Sequence, residues 1–147
     1  MIRTGKFADI KGMIRVCHKA HDESVSMHVP IDDRELTKTL QVIVNSKEHC
    51  CFVTEIDGEI EGLMLGVSNP LWYSRKKQAA DLFLYTTEKG KGTGHLLMRR
   101  YISWAKRQPG VKEIMIGINS GIDYERAIEL YKRMGAKQIG AMFYIER

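Results

Sequence analysis

Proline is scarce in this 147-residue chain, and so are cysteine and tryptophan, with three, three and two residues. So few prolines leave long stretches in which helices and strands can run unbroken. Cys17, Cys50 and Cys51 are odd in number, and the adjacent pair is poorly placed to bridge to itself. With no Cys-x-x-Cys or His-x-x-x-His spacing, neither a disulfide framework nor a metal site is expected, and the thiols read as buried and free in a reducing cytoplasm. No apolar run approaches the length of a membrane span, and Met1-Ile2-Arg3-Thr4 does not open a secretory signal, so a cytoplasmic location without membrane contact is expected. Repeats, low-complexity tracts and linkers are also missing. What is present, 44% hydrophobic and 28% charged residues, fits one globular domain over residues 1–147.

The net charge of +5 and an isoelectric point near 9.1 raise the question of nucleic acid. Arg99, Arg100, Lys106 and Arg107 fall on the polar side of one predicted helix, where charge is ordinarily just solvated. A ligand with several phosphates accounts for part of the excess. No recognised nucleic-acid module accompanies the charge, so this reading ranks low.

The pattern of apolar residues predicts the elements in order. Ile2 to Lys6 forms a short strand, and Phe7, Ile10, Ile14 and Cys17 then recur at helical spacing. An irregular segment from His21 to Pro30 precedes a second helix, with Asp32 and Glu35 spaced as a capping box. Cys50–Ile56 and Ile60–Val67 are strands joined by the turn dipeptide Asp57-Gly58. Gln78 to Thr86 is a central strand, and a long helix follows it and stops before Pro109-Gly110. Lys112–Ile118 is the next strand, Asp123 caps a last helix ending at Gly135, and Gln138–Ile145 is a final strand. This order implies an α/β (α+β) fold, a mixed sheet with helices on both faces.

Between the central strand and the long helix lies Glu88-Lys89-Gly90-Lys91-Gly92-Thr93-Gly94-His95. Glycines let main-chain N–H groups close on a ligand, and a helix N-terminus attracts anions, so a ligand with a pyrophosphate or similar group is indicated. The P-loop string Gly-x-x-x-x-Gly-Lys-Ser/Thr is absent. A dinucleotide fingerprint does not fit either: the third glycine comes one residue early, and the following strand leads to Asn119 rather than an acid.

Lys89-Gly90-Lys91-Gly92-Thr93-Gly94 instead resembles the coenzyme A loop of the GNAT N-acetyltransferases, Arg/Gln-x-x-Gly-x-Gly/Ala, with lysine in the leading position. Asp81-Leu82-Phe83-Leu84 is similar to the acidic-Leu-Phe-Val run that precedes this loop in many members. Ala127-Ile128-Glu129-Leu130-Tyr131-Lys132-Arg133-Met134-Gly135-Ala136 resembles the family's Ala-x-x-Leu-Tyr-x-x-x-Gly-Phe signature. The resemblance covers the whole chain, extends to compact phage-borne members, and implies the acyl-CoA N-acyltransferase fold.

It also implies roles. Main-chain groups of Leu82, Phe83 and Leu84 would pair with the pantetheine arm of acetyl-CoA, the cosubstrate, and one N–H would polarise the thioester carbonyl. The pyrophosphate would rest on Lys89, Gly90, Lys91, Gly92, Thr93, Gly94 and His95. Tyr131 is the candidate acid for the departing thiolate. The base is open: the family's usual glutamate positions hold Ala80 and Asn119, which leaves Asp81, His28 in the loop over the acceptor site, or a water held by Asn119. Tyr124 stands where many relatives have asparagine. Asp22, Glu23, Asp32 and Asp33 could attract a cationic amine or serve only as cap and surface residues. The expected activity is acetyl transfer to a primary amine of a small molecule or protein, by direct transfer in a ternary complex without metal. The alternative is a non-catalytic acyl-CoA-binding or nucleic-acid-associated module on the same fold. A homodimer, with the last strand completed by a partner chain, is also open.

Overall fold

A computed structural model describes all 147 residues. Its centre is a five-stranded sheet in the order β1 (Ile2–Thr4), β2 (His49–Ile56), β3 (Glu59–Pro70), β4 (Lys77–Thr86) and β5 (Val111–Met115). The first four strands are mutually antiparallel, and β5 runs parallel to β4. The β2–β3 hairpin turns through Asp57 and Gly58, both at positive φ (51° and 80°), the backbone twist that matches paired strands.

Helices cover both faces, as the alternation of elements predicts. On one side lie α1 (Ile10–Glu23), preceded by a single 3-10 turn at Phe7–Asp9, and α2 (Asp33–Asn45). Met13, Val16 and Leu40 from these helices pack on Val53, Leu63 and Leu65 of the sheet. On the other side α3 (Gly94–Arg107) buries Leu97, Met98, Tyr101 and Ala105 against Phe52, Met64 and Ala79. The last helix, α4 (Tyr124–Arg133), lays Tyr131 and, just beyond its end, Met134 on the edge of that second core without burying any residue fully. Asp32 caps α2 as expected, accepting from the N–H groups of Arg34 and Glu35 at 2.9 and 3.1 Å.

Two polar knots fix the strand ends. Arg3 forks onto both oxygens of Asp9 at 2.7 and 2.9 Å and bonds Glu55 at 2.7 Å, which holds the Asp9 carboxyl below the usual range. Buried Glu61 of β3 accepts from the Thr87 hydroxyl, with Arg15 3.3 Å away, and these partners lower its pKa despite burial. The Thr87 N–H also donates to the Glu61 carbonyl at 2.9 Å, so the chain leaving β4 stays attached to β3.

Three sequence expectations are corrected. The strand from Lys112 to Ile118 stops at Met115, because Gly117 turns its N–H to the Asp81 carboxylate at 2.8 Å instead of continuing the ladder. Asp123 occupies the N-cap of α4 but in the left-handed region (φ 43°), with no capping hydrogen bond from its side chain. The strand predicted over Gln138–Ile145 does not form. Beyond Ala136 no main-chain group bonds to another main-chain group, so no ladder defines a strand there.

The glycine-rich loop packs closely on β3, since a Cβ built on Gly90 would lie 2.2 Å from the Glu61 carbonyl oxygen, whereas one on Gly94 meets only Thr86 Cγ2 at 3.8 Å. Gly90→Ala should therefore lower the unfolding free energy by about 1–3 kcal/mol, through forced movement of backbone against backbone, with Gly94→Ala costing clearly less. Urea denaturation of the two variants measures the difference; equal stabilities would mean the loop shifts freely.

Candidate active site

The parallel ladder between β4 and β5 is short. Its pairs end at Ala80↔Met115, and beyond that point the two strands part. A residue in a sheet normally bonds neighbours on both sides, so the divergence leaves the β5-facing main-chain groups of β4 without a strand partner. The strand is also irregular there. Opposite β3, Leu65 faces Phe83 and Gly66 faces Asp81, so Leu82 is an extra, unpaired residue with 53% of its surface exposed. Such a bulge re-aims neighbouring groups, a device found beside many active sites.

The gap between the strands opens into a cleft of about 1010 Å³. Leu82, Phe83 and Leu84 line it on one wall, and Gly117, Asn119 and Tyr131 on the other. The mouth lies at the start of α3, where Lys91, Gly92, Gly94 and His95 reach the cleft. Gly92 has φ 89° with nothing near its absent Cβ, and the N–H groups of Gly92, Gly94 and His95 bond to no acceptor of the chain. Free amides at a helix N-terminus, beside Lys91, suit a phosphate group. The other three predicted loop residues stand back from the cleft: Lys89 projects to solvent, Gly90 packs on Glu61, and the Thr93 hydroxyl ties the loop to Thr54 and the Gly90 carbonyl at 2.9 and 2.7 Å.

Asp81 and Tyr131 are brought into the same cleft from positions fifty residues apart. Burial pushes the Asp81 carboxyl up, partly offset by the Gly117 N–H it accepts. Burial, with the nearby Asp81 charge, pushes the Tyr131 phenol up to about 12, so it holds its proton throughout the neutral range. Asn119 lines the cleft, but His28 does not: its ring faces Tyr144 and Glu146 of the C-terminal segment. Tyr124 is also outside the lining.

Of the four acids that could meet a cationic amine, the cleft takes in Glu23 alone; Asp32 is a cap and Asp33 pairs with His18 at 2.6 Å. Glu23 accepts from the Tyr85 hydroxyl at 2.8 Å, and burial followed by that bond raises the Tyr85 phenol to about 12. Tyr85 is a lining residue that sequence reasoning missed. Its alternation with Phe83 placed it on the face toward α1, but no local pattern reports a partner 62 positions away. The connection between α1 and α2 closes over the far end of the cleft, with the Val25 N–H donating to the Ser120 carbonyl at 2.9 Å. Cys17 also reaches the cleft, and burial raises its thiol to about 12, which keeps it protonated and a weak nucleophile.

This architecture recurs in solved structures. An aminoglycoside acetyltransferase from an uncultured soil metagenomic sample, solved with sisomicin, superposes with a TM-score of 0.69 at 18% identity, covering 100% of this chain and 95% of that one. Glucosamine-6-phosphate N-acetyltransferase from Arabidopsis thaliana gives 0.73 at 13% identity, with 99% and 97% covered. Ribosomal-protein-alanine N-acetyltransferase from Brucella melitensis biovar Abortus 2308 gives 0.67 at 13%, with 100% and 99% covered. At these identities the shared property is the fold. No curated protein sequence matches the chain significantly. The sequence profile described as Acetyltransferase (GNAT) family does match it, over residues 15–136. That span runs from within α1 to just beyond α4 and takes in the parted strands, the glycine loop and Tyr131, so the chain belongs to the GNAT family of acetyltransferases.

Proposed function

We propose that the protein transfers an acetyl group from acetyl-CoA directly to an amine held in the same cleft. The observation that carries this reading is the parting of β4 and β5 beside three free loop amides, which offers an extended, amide-rich ligand two sets of donors in line. Coenzyme A has that form, with a pyrophosphate for the loop and a peptide-like pantetheine arm for Leu82–Leu84. The thioester supplies an activated acyl carbon. The amine nitrogen attacks that carbon, the C–N bond forms, and the carbonyl oxygen takes negative charge before the C–S bond breaks. A main-chain N–H at the Leu82 bulge is the natural donor to that oxygen, a fixed dipole where charge develops. Tyr131 gives its proton to the departing sulfur, and Asp81 takes the proton the amine must lose. The protonated state of Cys17 supports direct transfer over an acyl-enzyme route.

The acceptor is an amine whose class the fold leaves open, as the dissimilar acceptors named for the three structural relatives illustrate. Glu23, oriented by Tyr85, gives the cleft a carboxylate able to meet a positively charged acceptor.

Three outcomes test this reading. Gly92→Val should weaken acetyl-CoA binding by roughly two orders of magnitude or more, because a β-branched residue is strained at that φ and crowds the amides; titration calorimetry measures it, and unchanged affinity would remove the loop from the site. Tyr131→Phe should keep fold and coenzyme affinity while kcat falls roughly ten- to a thousandfold, more than KM changes. Wild-type turnover in this variant would reduce Tyr131 to packing. Asp81→Asn keeps an oxygen for the Gly117 N–H, so coenzyme affinity should persist while turnover drops about 10²- to 10⁴-fold. In the wild type kcat/KM should rise with pH through the elevated Asp81 pKa, since the ionised form is the base, and that limb should vanish in the asparagine variant. An intact limb would move the base elsewhere. Thiol release from acetyl-CoA with a panel of amines is the activity measurement, and tight coenzyme binding with no turnover on any amine would favour a non-catalytic module.

A further inference from the structure

α3 begins without the bond its own sequence offers. Thr93 stands in the capping place, where a threonine hydroxyl ordinarily accepts from the N–H two or three positions on. Here its side chain accepts from no amide of the helix. Its φ of −94° and ψ of −10° lie in the helical region, not in the extended one that a capping residue adopts. The hydroxyl is engaged elsewhere. Its one proton goes to the Gly90 carbonyl at 2.7 Å, so across the 2.9 Å contact with Thr54 it is Thr54 that donates. Thr54 lies in β2, 39 positions away, and is fully buried opposite Gly62, where a Cβ would come within 2.8 Å of the Thr54 hydroxyl.

A second buried threonine holds the near end of the loop. The Thr87 hydroxyl donates to the Glu61 carboxylate, which Arg15 of α1 braces at 3.3 Å, and so presents a lone pair to the Gly90 N–H, 3.4 Å away. Gly90 is thereby gripped at both polar groups, since its carbonyl accepts from the Thr93 hydroxyl and, at 3.1 Å, from the Thr93 N–H. The Lys91 N–H is taken by the Glu88 carbonyl at 3.3 Å. The loop's amides therefore divide: those of residues 90, 91 and 93 are used inside the chain, and those of Gly92, Gly94 and His95 are not. An ordinary cap would occupy amides at the helix start that a phosphate needs. A glycine-rich loop without these ties would have to be ordered by its ligand, at a cost in affinity.

We propose, resting on the reading of this loop as a phosphate site, that Thr54 and Thr87 are its positioning residues. Neither reaches the ligand. Thr54 keeps the Thr93 hydroxyl turned away from the start of α3, and Thr87, oriented by Glu61, fixes Gly90. Together they hold the free protein's loop in the form that binds an anion, with the helix uncapped and three amides open. Both hydroxyls are buried, one on a strand two places from β4 in the sheet and one where the chain leaves β4, so the loop inherits the geometry of the antiparallel sheet.

Thr54→Val and Thr87→Val each remove one hydroxyl with little change of shape, and Thr54→Ser and Thr87→Ser keep it. Titration calorimetry with coenzyme A should show each valine variant binding about tenfold more weakly, with the serine variants within about twofold of the wild type. In the ligand-free protein, NMR order parameters of the Gly92 and Gly94 amides should fall from about 0.85 toward about 0.6 in the valine variants and hold in the serine ones. Lost packing alone would not separate the two replacements in this way. Valine variants with wild-type affinity overturn the proposal. So do serine variants as weak as the valine ones, which would assign the effect to the methyl group, and weakened binding with unchanged order parameters. Thr87→Val strips Glu61 of a donor, so should it fail to fold, the Thr54 pair alone decides. A wild type that binds neither coenzyme A nor inorganic pyrophosphate removes the phosphate site and this proposal with it, whereas coenzyme binding without turnover on any amine counts against the catalytic reading only.

Discussion

The structure turns on a ladder that stops early. β4 and β5 pair for only a few residues, then separate, and the separation is held open by a side chain: Asp81 takes the Gly117 N–H that would otherwise seek a strand partner. A parallel ladder that continued would satisfy more backbone but would close the cleft. The cost of the break is limited because one freed amide has a charged acceptor and the others face the cleft. The bulge at Leu82 works in the same direction, turning the middle of β4 away from regular pairing where the two strands part.

That arrangement gives Asp81 two duties. Its carboxylate fixes the geometry of the opening, and its burial makes the same group a better proton acceptor near neutrality. Burial first, and then the Asp81 charge, raise the neighbouring Tyr131 phenol, so a fully protonated phenol and a carboxyl raised from its ordinary value share one cleft. The carboxyl and the phenol respond to the same burial from different starting values, and so keep distinct protonation states.

Much of this was legible in the sequence. The glycine loop, the strand before it and the helix carrying Tyr131 each have a local pattern, and the order of strands and helices follows from apolar periodicity. The Asp57-Gly58 turn and the Asp32 cap are equally local. What the sequence withheld are contacts between distant segments. Nothing around Gly90 tells that its missing Cβ makes room for the Glu61 carbonyl rather than for a ligand. Thr93 reads as a loop residue and acts as a hydroxyl tie to Thr54. The Tyr85–Glu23 pair and the Val25–Ser120 bond depend on how α1 is set against the sheet. The last segment misled for another reason. Its run of apolar and aromatic residues suits a strand, but a strand exists only when something pairs with it.

The attachment of the glycine loop divides the cleft into walls of unequal firmness. One wall is stitched to the antiparallel sheet through Glu61, Thr87, Thr54 and the buried face of α3. The opposite wall is α4 and the turn before it, which bury no residue completely and are joined to the α1–α2 connection by one main-chain bond at Ser120. A ligand spanning both walls therefore acts as a cross-brace. Its binding free energy is felt unevenly, adding little on the side stitched to the sheet and most on the side with fewer buried contacts.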